Sequence, residues 1–174
     1  MFSNILYVIM NGKGSGRTIR ILFVCHGNIC RSPMAEFVMK HLVSRAGLSE
    51  QFTISSAATT TEELENDIYP NAKAELKRRG IPFEKRRARQ IRSDEYNKYN
   101  NWDLIIAMDR ENLADIRYVV GSDPKKKVRL LMSFAGEEKS VSDPWYTRNF
   151  VRAYDDILRG CEGLLESLLE KSAV

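Results

Sequence analysis

Cysteine is scarce in this chain of 174 residues, with three, at positions 25, 30 and 161. A small, odd number argues against a disulfide framework and for a reducing compartment, so a cytoplasmic location is expected. Histidine is scarcer still, with two. A few thiols and scattered imidazoles fall short of a zinc site, and no metal or cofactor is expected. No apolar run is long enough to span a bilayer, so no membrane partner is expected. Neither charge sign dominates: 27 basic residues face 23 acidic ones, a net charge of +4. The basic clusters at 77–79, 85–89 and 125–127 lack interleaved aromatics. They read as solvated faces with a mild pull on anionic substrates, and no nucleic-acid partner is expected.

What is present suits one folded domain: 43% hydrophobic and 29% charged residues in 20.0 kDa. Residues 1–10 are apolar, and 11–18 are rich in Gly and Ser with two basic residues. A secretory signal carries its charge before the apolar stretch, and here the order is reversed. Residues 1–18 are therefore expected to be a loosely ordered extension, or to follow an upstream start codon, with the domain proper at 19–174.

Residues 19–25 end at a Gly-containing loop and read as a buried parallel strand. Ser32 and Pro33 then open a helix, with Ser able to cap it. Met34, Phe37, Val38, His41 and Leu42 recur at helical spacing until Gly47. Further strands are expected at 52–56, 103–108 and 127–131, and further helices at 71–79, 93–99, 109–120 and 150–169. Strands alternate with helices. The expected fold is α/β, three layers with a central four-stranded parallel sheet and helices on both faces, and a catalytic loop between the first strand and first helix. Ligands of such sheets bind outside the carboxyl ends of the strands, where Cys25, Met108, Asp109 and the loop after Leu131 fall.

The loop at 25–32 reads Cys-His-Gly-Asn-Ile-Cys-Arg-Ser. Amides of a tight loop and a helix N-terminus can converge on a tetrahedral oxyanion. Gly27 permits close approach or positive φ, and Asn28 tolerates left-handed geometry. Arg31 can grip two phosphate oxygens at once. The same positive setting favours the thiolate of Cys25, which can attack phosphorus. Ser32 can donate to that sulfur and improve it as a leaving group. A structural cysteine would need none of these neighbours, so Cys25 is expected to be the nucleophile.

The run VCHGNICRSPMAE resembles the catalytic loop of the low-molecular-weight protein tyrosine phosphatases. The likeness continues through SSAAT at 55–59, RQI at 89–91, WDLIIAMD at 102–109 and SDPWY at 142–146. It implies a metal-independent protein-tyrosine phosphatase, with Cys25, Arg31 and Asp143 catalytic. It implies that Gly27, Asn28, Ile29, Cys30, Ser32, Trp145 and Tyr146 bind the substrate. Asp143, before Pro144, would protonate the leaving oxygen and then accept a proton from water. Asp67 and Asp123 are lesser rivals for that role. Trp145 and Tyr146 would wall the pocket mouth and favour an aryl phosphate, with core packing as the alternative for Tyr146. Asn28, Ser32 and Ser56 match bracing residues, and Asp109 matches a carboxylate near the loop. Some members carry a histidine before Ala88, Arg89 and Gln90, where this chain has Lys85, Arg86 and Arg87. The implied partners are phosphotyrosine-containing proteins, a tyrosine kinase among the candidates, with phosphate and other oxyanions as competitive ligands. The expected pH optimum is mildly acidic.

Arsenate reduction on the same fold needs a distal cysteine pair, and only Cys161 lies beyond Cys30. Arginine phosphatases of this kind carry Thr where this chain has Ile29, and an apolar Ile29 suits an aromatic ring. A reversible Cys25–Cys30 disulfide is a secondary reading, since an exposed thiolate oxidises readily. A pure phosphotyrosine-binding module would need neither Cys25 nor Asp143.

Overall fold

A computed structural model describes residues 18–91 and 101–172, apart from the side chains of 171 and 172. The extension at 1–17 and the helix expected at 93–99 lie outside the described residues. Four parallel strands form one sheet in the order β2-β1-β3-β4. These are β1 (Ile19–Cys25), β2 (Phe52–Ala58), β3 (Leu104–Ala107) and β4 (Val128–Leu130). The helices are α1 (Arg31–Arg45), α2 (Pro70–Arg78), α3 (Arg110–Val120), α4 (Pro144–Thr147) and α5 (Phe150–Ser172).

Every residue from Ile21 to Cys25 is buried, as a strand covered on both faces requires. Alternation then divides the core. Ile21, Phe23 and Ile106 join α1 and α5 in the larger cluster, whereas Leu22, Val24, Ile105 and Ala107 meet Ile116 and Val120 of α3. Residues 88–91 run beside the far edge of the sheet, where Ala58 N donates to Arg89 O at 2.7 Å and Ile91 N to Ala58 O at 2.8 Å. The supporting RQI segment is thus a short edge bridge.

Close packing seats α5 against the 3-10 turn Leu131–Ala135 that follows β4. A Cβ on Gly160 would lie 2.5 Å from Leu131 Cγ, and one on Gly163 would lie 2.1 Å from the Phe134 carbonyl oxygen. Glycine in a helix interior costs about 1 kcal/mol relative to alanine. Here it admits a helix–turn approach that any side chain would block.

Candidate active site

β1 carries Cys25 to the carboxyl edge of the sheet, and α1 starts only six residues later, at Arg31. The chain turns between them with Asn28 at φ 57°, in the left-handed region. Gly27 is not left-handed. A Cβ there would sit 3.0 Å from Glu63 Cγ, a contact that the flexible Glu63 side chain would have to ease. None of the backbone amides of residues 26–31 donates to a protein acceptor among the described residues. Free amides at a helix start, beside a buried arginine, suit an oxyanion.

Cys25 is buried, and its Sγ lies 3.0 Å from Ser32 Oγ. Ser32 was expected to cap α1. Instead Cys30 holds the cap position, no side chain caps it, and Ser32 points into the loop. A hydroxyl has one proton. Asn28 Nδ2 donates to Ser32 Oγ at 2.8 Å, which fills an acceptor site and leaves that proton for Cys25 or for Ala57 O, 3.4 Å away. The nearer acceptor is the sulfur, so a thiolate there gains a donor. The second loop cysteine differs. Burial, then the neighbouring Cys25, pushes the Cys30 thiol up to about 12, so Cys30 stays protonated near neutrality. All three cysteines are free, with Cys161 buried inside α5.

Arg31 is buried between two carboxylates: Nη1 donates to Asp109 Oδ2 at 2.5 Å, and Nη2 meets Asp143 Oδ2 at 2.6 Å. Burial alone would lower its proton affinity. Cys25, Asp143 and Asp109 outweigh burial and hold it above the usual arginine value. Asp109 also caps α3, where its Oδ1 accepts from Asn112 N at 2.7 Å.

Asp143 reaches the site on a segment pinned from two sides. Val141 N donates to Met108 O at 2.8 Å, and Ser142 N to Asp156 Oδ2 of α5 at 3.1 Å. Asp143 then caps the short helix α4, its Oδ1 accepting from Trp145 N at 2.9 Å. The rival carboxylates are engaged elsewhere. Asp123 accepts from the amides of Lys127 and Val128, and Asp67 from those of Ile68 and Arg86 as well as from Lys73.

The aromatic residues after Asp143 part company. Trp145 packs edge-on against Tyr69, with ring centroids 5.8 Å apart, and Tyr69 stacks on Phe150 at 5.9 Å. Tyr146 is 83% exposed, so the core-packing alternative fails for it. Ile29 is buried, and its carbonyl accepts from Tyr69 N at 2.9 Å.

The structure adds residues that the sequence reading missed. Arg86 was taken as part of a solvated basic face. Its side chain is largely buried, 13% exposed, and bonds to the loop through Asn28. Its Nη2 donates to Asn28 Oδ1 at 2.7 Å, and its Nη1 to Glu36 Oε2 at 2.9 Å and to Ser56 Oγ. Burial first, and Arg89 besides, lower its proton affinity against the pull of Glu36, yet a guanidinium stays charged. Glu36 is buried and also accepts from Ser56 Oγ at 2.6 Å and Lys40 Nζ at 2.6 Å. Asn28 is thereby saturated. It donates to Ser32 and to Ser56 (2.9 Å), and it accepts from Arg86 and from Arg89 N (3.2 Å). One sequence signal was available for Glu36: it lies four residues after Ser32, on the same face of α1. Tyr69 carried no expectation from the sequence.

Fold and site together define an α/β protein with a buried thiol and a buried arginine on the loop between its first strand and first helix. Residues 20–174 match the family model described as low molecular weight phosphotyrosine protein phosphatase. The low molecular weight protein-tyrosine-phosphatase YfkJ of Bacillus subtilis is 36% identical over 152 residues, covering 86% of this chain and 96% of that protein. The human low molecular weight phosphotyrosine protein phosphatase is 36% identical over 154 residues, covering 86% and 95%. Among solved structures, YfkJ from Bacillus subtilis superposes with a TM-score of 0.84 at 35% identity, over 92% of this chain and 99% of that one. A Drosophila arginine phosphatase superposes with a TM-score of 0.78 at 30% identity, over 86% and 98%. The chain belongs to the low molecular weight phosphotyrosine protein phosphatase family. Among the described residues no helix is long and apolar enough to cross a membrane.

Proposed function

We propose that the chain hydrolyses phosphotyrosine in proteins, and small aryl phosphates, through a phosphocysteine at Cys25. One observation carries the reading. Arg31, the cation of the cradle, touches the candidate acid Asp143 at 2.6 Å while the candidate nucleophile Cys25 lies at the foot of the same loop. Nucleophile, phosphate grip and proton donor thus share one small volume.

In the first step the Cys25 thiolate attacks phosphorus. An S–P bond forms, the P–O bond to the phenol breaks, and Asp143 gives its proton to the departing oxygen. The loop amides and Arg31 hold the equatorial oxygens, whose charge is the main thing to stabilise. A phosphate dianion in the cradle competes with Asp143 for Nη2 of Arg31, and Asp109 keeps the other side of the guanidinium in place. In the second step Asp143 takes a proton from water, the water oxygen bonds to phosphorus, and the S–P bond breaks. Ser32 supports the departing sulfur through the 3.0 Å contact. Gly27, Asn28, Ile29 and Cys30 shape the cradle, and Trp145 and Tyr146 bank its mouth.

Phosphotyrosine-containing proteins are the substrates of this reading, and a tyrosine kinase is the enzyme that would supply them. A reducing, cytoplasmic setting suits chemistry that needs Cys25 as a free thiol. The arginine phosphatase likeness supports a second reading, phosphoarginine hydrolysis on the same cradle. The two are separated by kcat/KM on one peptide carrying either phosphotyrosine or phosphoarginine. Phosphotyrosine should be preferred; preference for phosphoarginine would overturn the first reading.

A further inference from the structure

A groove of about 510 Å³ runs between α2 and the segment that leads into α5. Asn71, Arg78, Arg148, Asn149, Phe150 and Val151 line it. It is linked to the catalytic loop through Tyr69, since Phe150 of the lining stacks on Tyr69 and the Tyr69 amide donates to Ile29 O. Thr147, which also lines it, donates its amide to Asp143 O at 3.1 Å.

The charges in the groove do not balance. Glu75 also lines it, but that carboxylate is buried and already receives both Arg78 and Arg79. Arg148 has no carboxylate within ion-pair distance among the described residues. Its guanidinium carbon instead lies 5.6 Å from the centre of the Trp145 ring, in cation–π range. Arg148 sits at φ 57°, in the left-handed region, and its amide donates to Pro144 O at 3.0 Å as α4 ends. The backbone that places Asp143 and Trp145 therefore also aims Arg148 at the groove. Val151, 46% exposed, offers an apolar bank beside it.

We propose that this groove is a second subsite, which takes the polypeptide flanking the phosphorylated residue and receives an acidic side chain against Arg148. The proposal rests on the phosphatase reading above. Arg78 adds to the positive field, while Glu75, held in its own ion pairs, does not repel the incoming carboxylate strongly.

The test uses phosphotyrosine peptides with Glu, Gln or Lys on either flank, and p-nitrophenyl phosphate, which has no flank. At low salt a Glu peptide should exceed its Gln counterpart by about 2- to 5-fold in kcat/KM, the scale of an exposed ion pair. Arg148→Asn, chosen because Asn tolerates the left-handed backbone, should abolish the advantage and leave p-nitrophenyl phosphate turnover unchanged. Raising the ionic strength should erase it in the wild type, a reading that does not depend on any variant. Equal turnover of Glu and Lys peptides, or a preference that survives Arg148→Asn, would overturn the subsite. If wild-type protein hydrolysed none of these esters, the phosphatase reading would fail instead. The same peptides would then be titrated calorimetrically, and equal affinity for the Glu and Lys forms would overturn the subsite by itself.

Discussion

Arg86 holds the Asn28 side chain: its Nη2 lies 2.7 Å from the Asn28 side-chain oxygen. Asn28 in turn supports Ser32, and Ser32 touches Cys25 Sγ. A largely buried cation is thus linked to the candidate nucleophile through two intervening side chains. Replacing Arg86 by Gln would remove one of the two cations that meet the buried Glu36 carboxylate, at a cost of about 1–3 kcal/mol since Lys40 remains. Arg86→His should restore part of the bracing but introduce an ionisation near neutrality, which arginine lacks. The expected outcome is a kcat/KM profile for p-nitrophenyl phosphate with an extra pH-dependent limb in Arg86→His alone. A profile of unchanged shape would mean that Arg86 contributes only to stability, a separate quantity measured by urea unfolding.

Asn28 serves the loop both by its left-handed backbone and by its four side-chain hydrogen bonds, and two substitutions separate these. Asn28→Gly keeps the backbone and loses the bonds. Asn28→Ala loses the bonds and adds the left-handed penalty, about 1 kcal/mol. Both should lower kcat, with Ala the less stable of the two. Equal stability in denaturant titration would show that the φ of 57° imposes no strain.

Removing the candidate acid should have an effect that depends on the leaving group. Asp143→Ala is expected to slow phenyl phosphate by about 10²- to 10⁴-fold, the scale of general acid catalysis. An ester whose phenolate leaves readily should suffer much less. Equal losses on both would assign the proton to another donor.

Asp156 ties the Asp143 segment to α5, and it gives a signed dependence on pH. Burial opposes its charge, but Lys139, the Ser142 amide and Arg159 outweigh burial and hold the carboxyl below the usual carboxylate range. A depressed pKa contributes stability that is present above the unfolded value, about 3.9. That stability is lost as pH falls through the lowered folded value. The Tm gap between wild type and Asp156→Asn should therefore be widest near neutrality and should close as pH falls below about 4. A gap that stayed constant would place the effect in packing rather than charge.

Gly163→Ala reverses the ordinary helix rule. At an open helix site the change would stabilise by about 1 kcal/mol. Here the added Cβ meets the Phe134 carbonyl at 2.1 Å, so an overpacking loss of about 1–3 kcal/mol is expected. A rise in Tm would show that α5 and the 3-10 turn can move apart freely.

The sheet was legible because buried parallel strands carry unbroken apolar runs, and ILFVC at 21–25 and LIIAM at 104–108 have that form. The fourth strand shrank to Val128–Leu130 because the chain enters a 3-10 turn at Leu131, which no periodicity announces. The candidate site residues of the 25–32 loop were legible as a motif with physical roles to propose. Their support was harder to read. Arg86 lies among Lys85, Arg87 and Arg89, a run that looks like solvent-facing charge in one dimension. Only the fold shows that one member turns inward to meet Glu36 from α1. Ser32 misled for a related reason: Ser before Pro is a good helix start, but here the hydroxyl serves sulfur and Asn28 rather than a helix amide.

The identity of the nucleophile is tested most directly by turnover of p-nitrophenyl phosphate in EDTA, with wild type and Cys25→Ser compared at equal folded concentration. A Cys25 nucleophile predicts undiminished wild-type turnover without free metal, a phosphate adduct on Cys25 in acid-quenched protein, and loss of both in Cys25→Ser. Turnover that EDTA abolished, or that survived in Cys25→Ser, would contradict it.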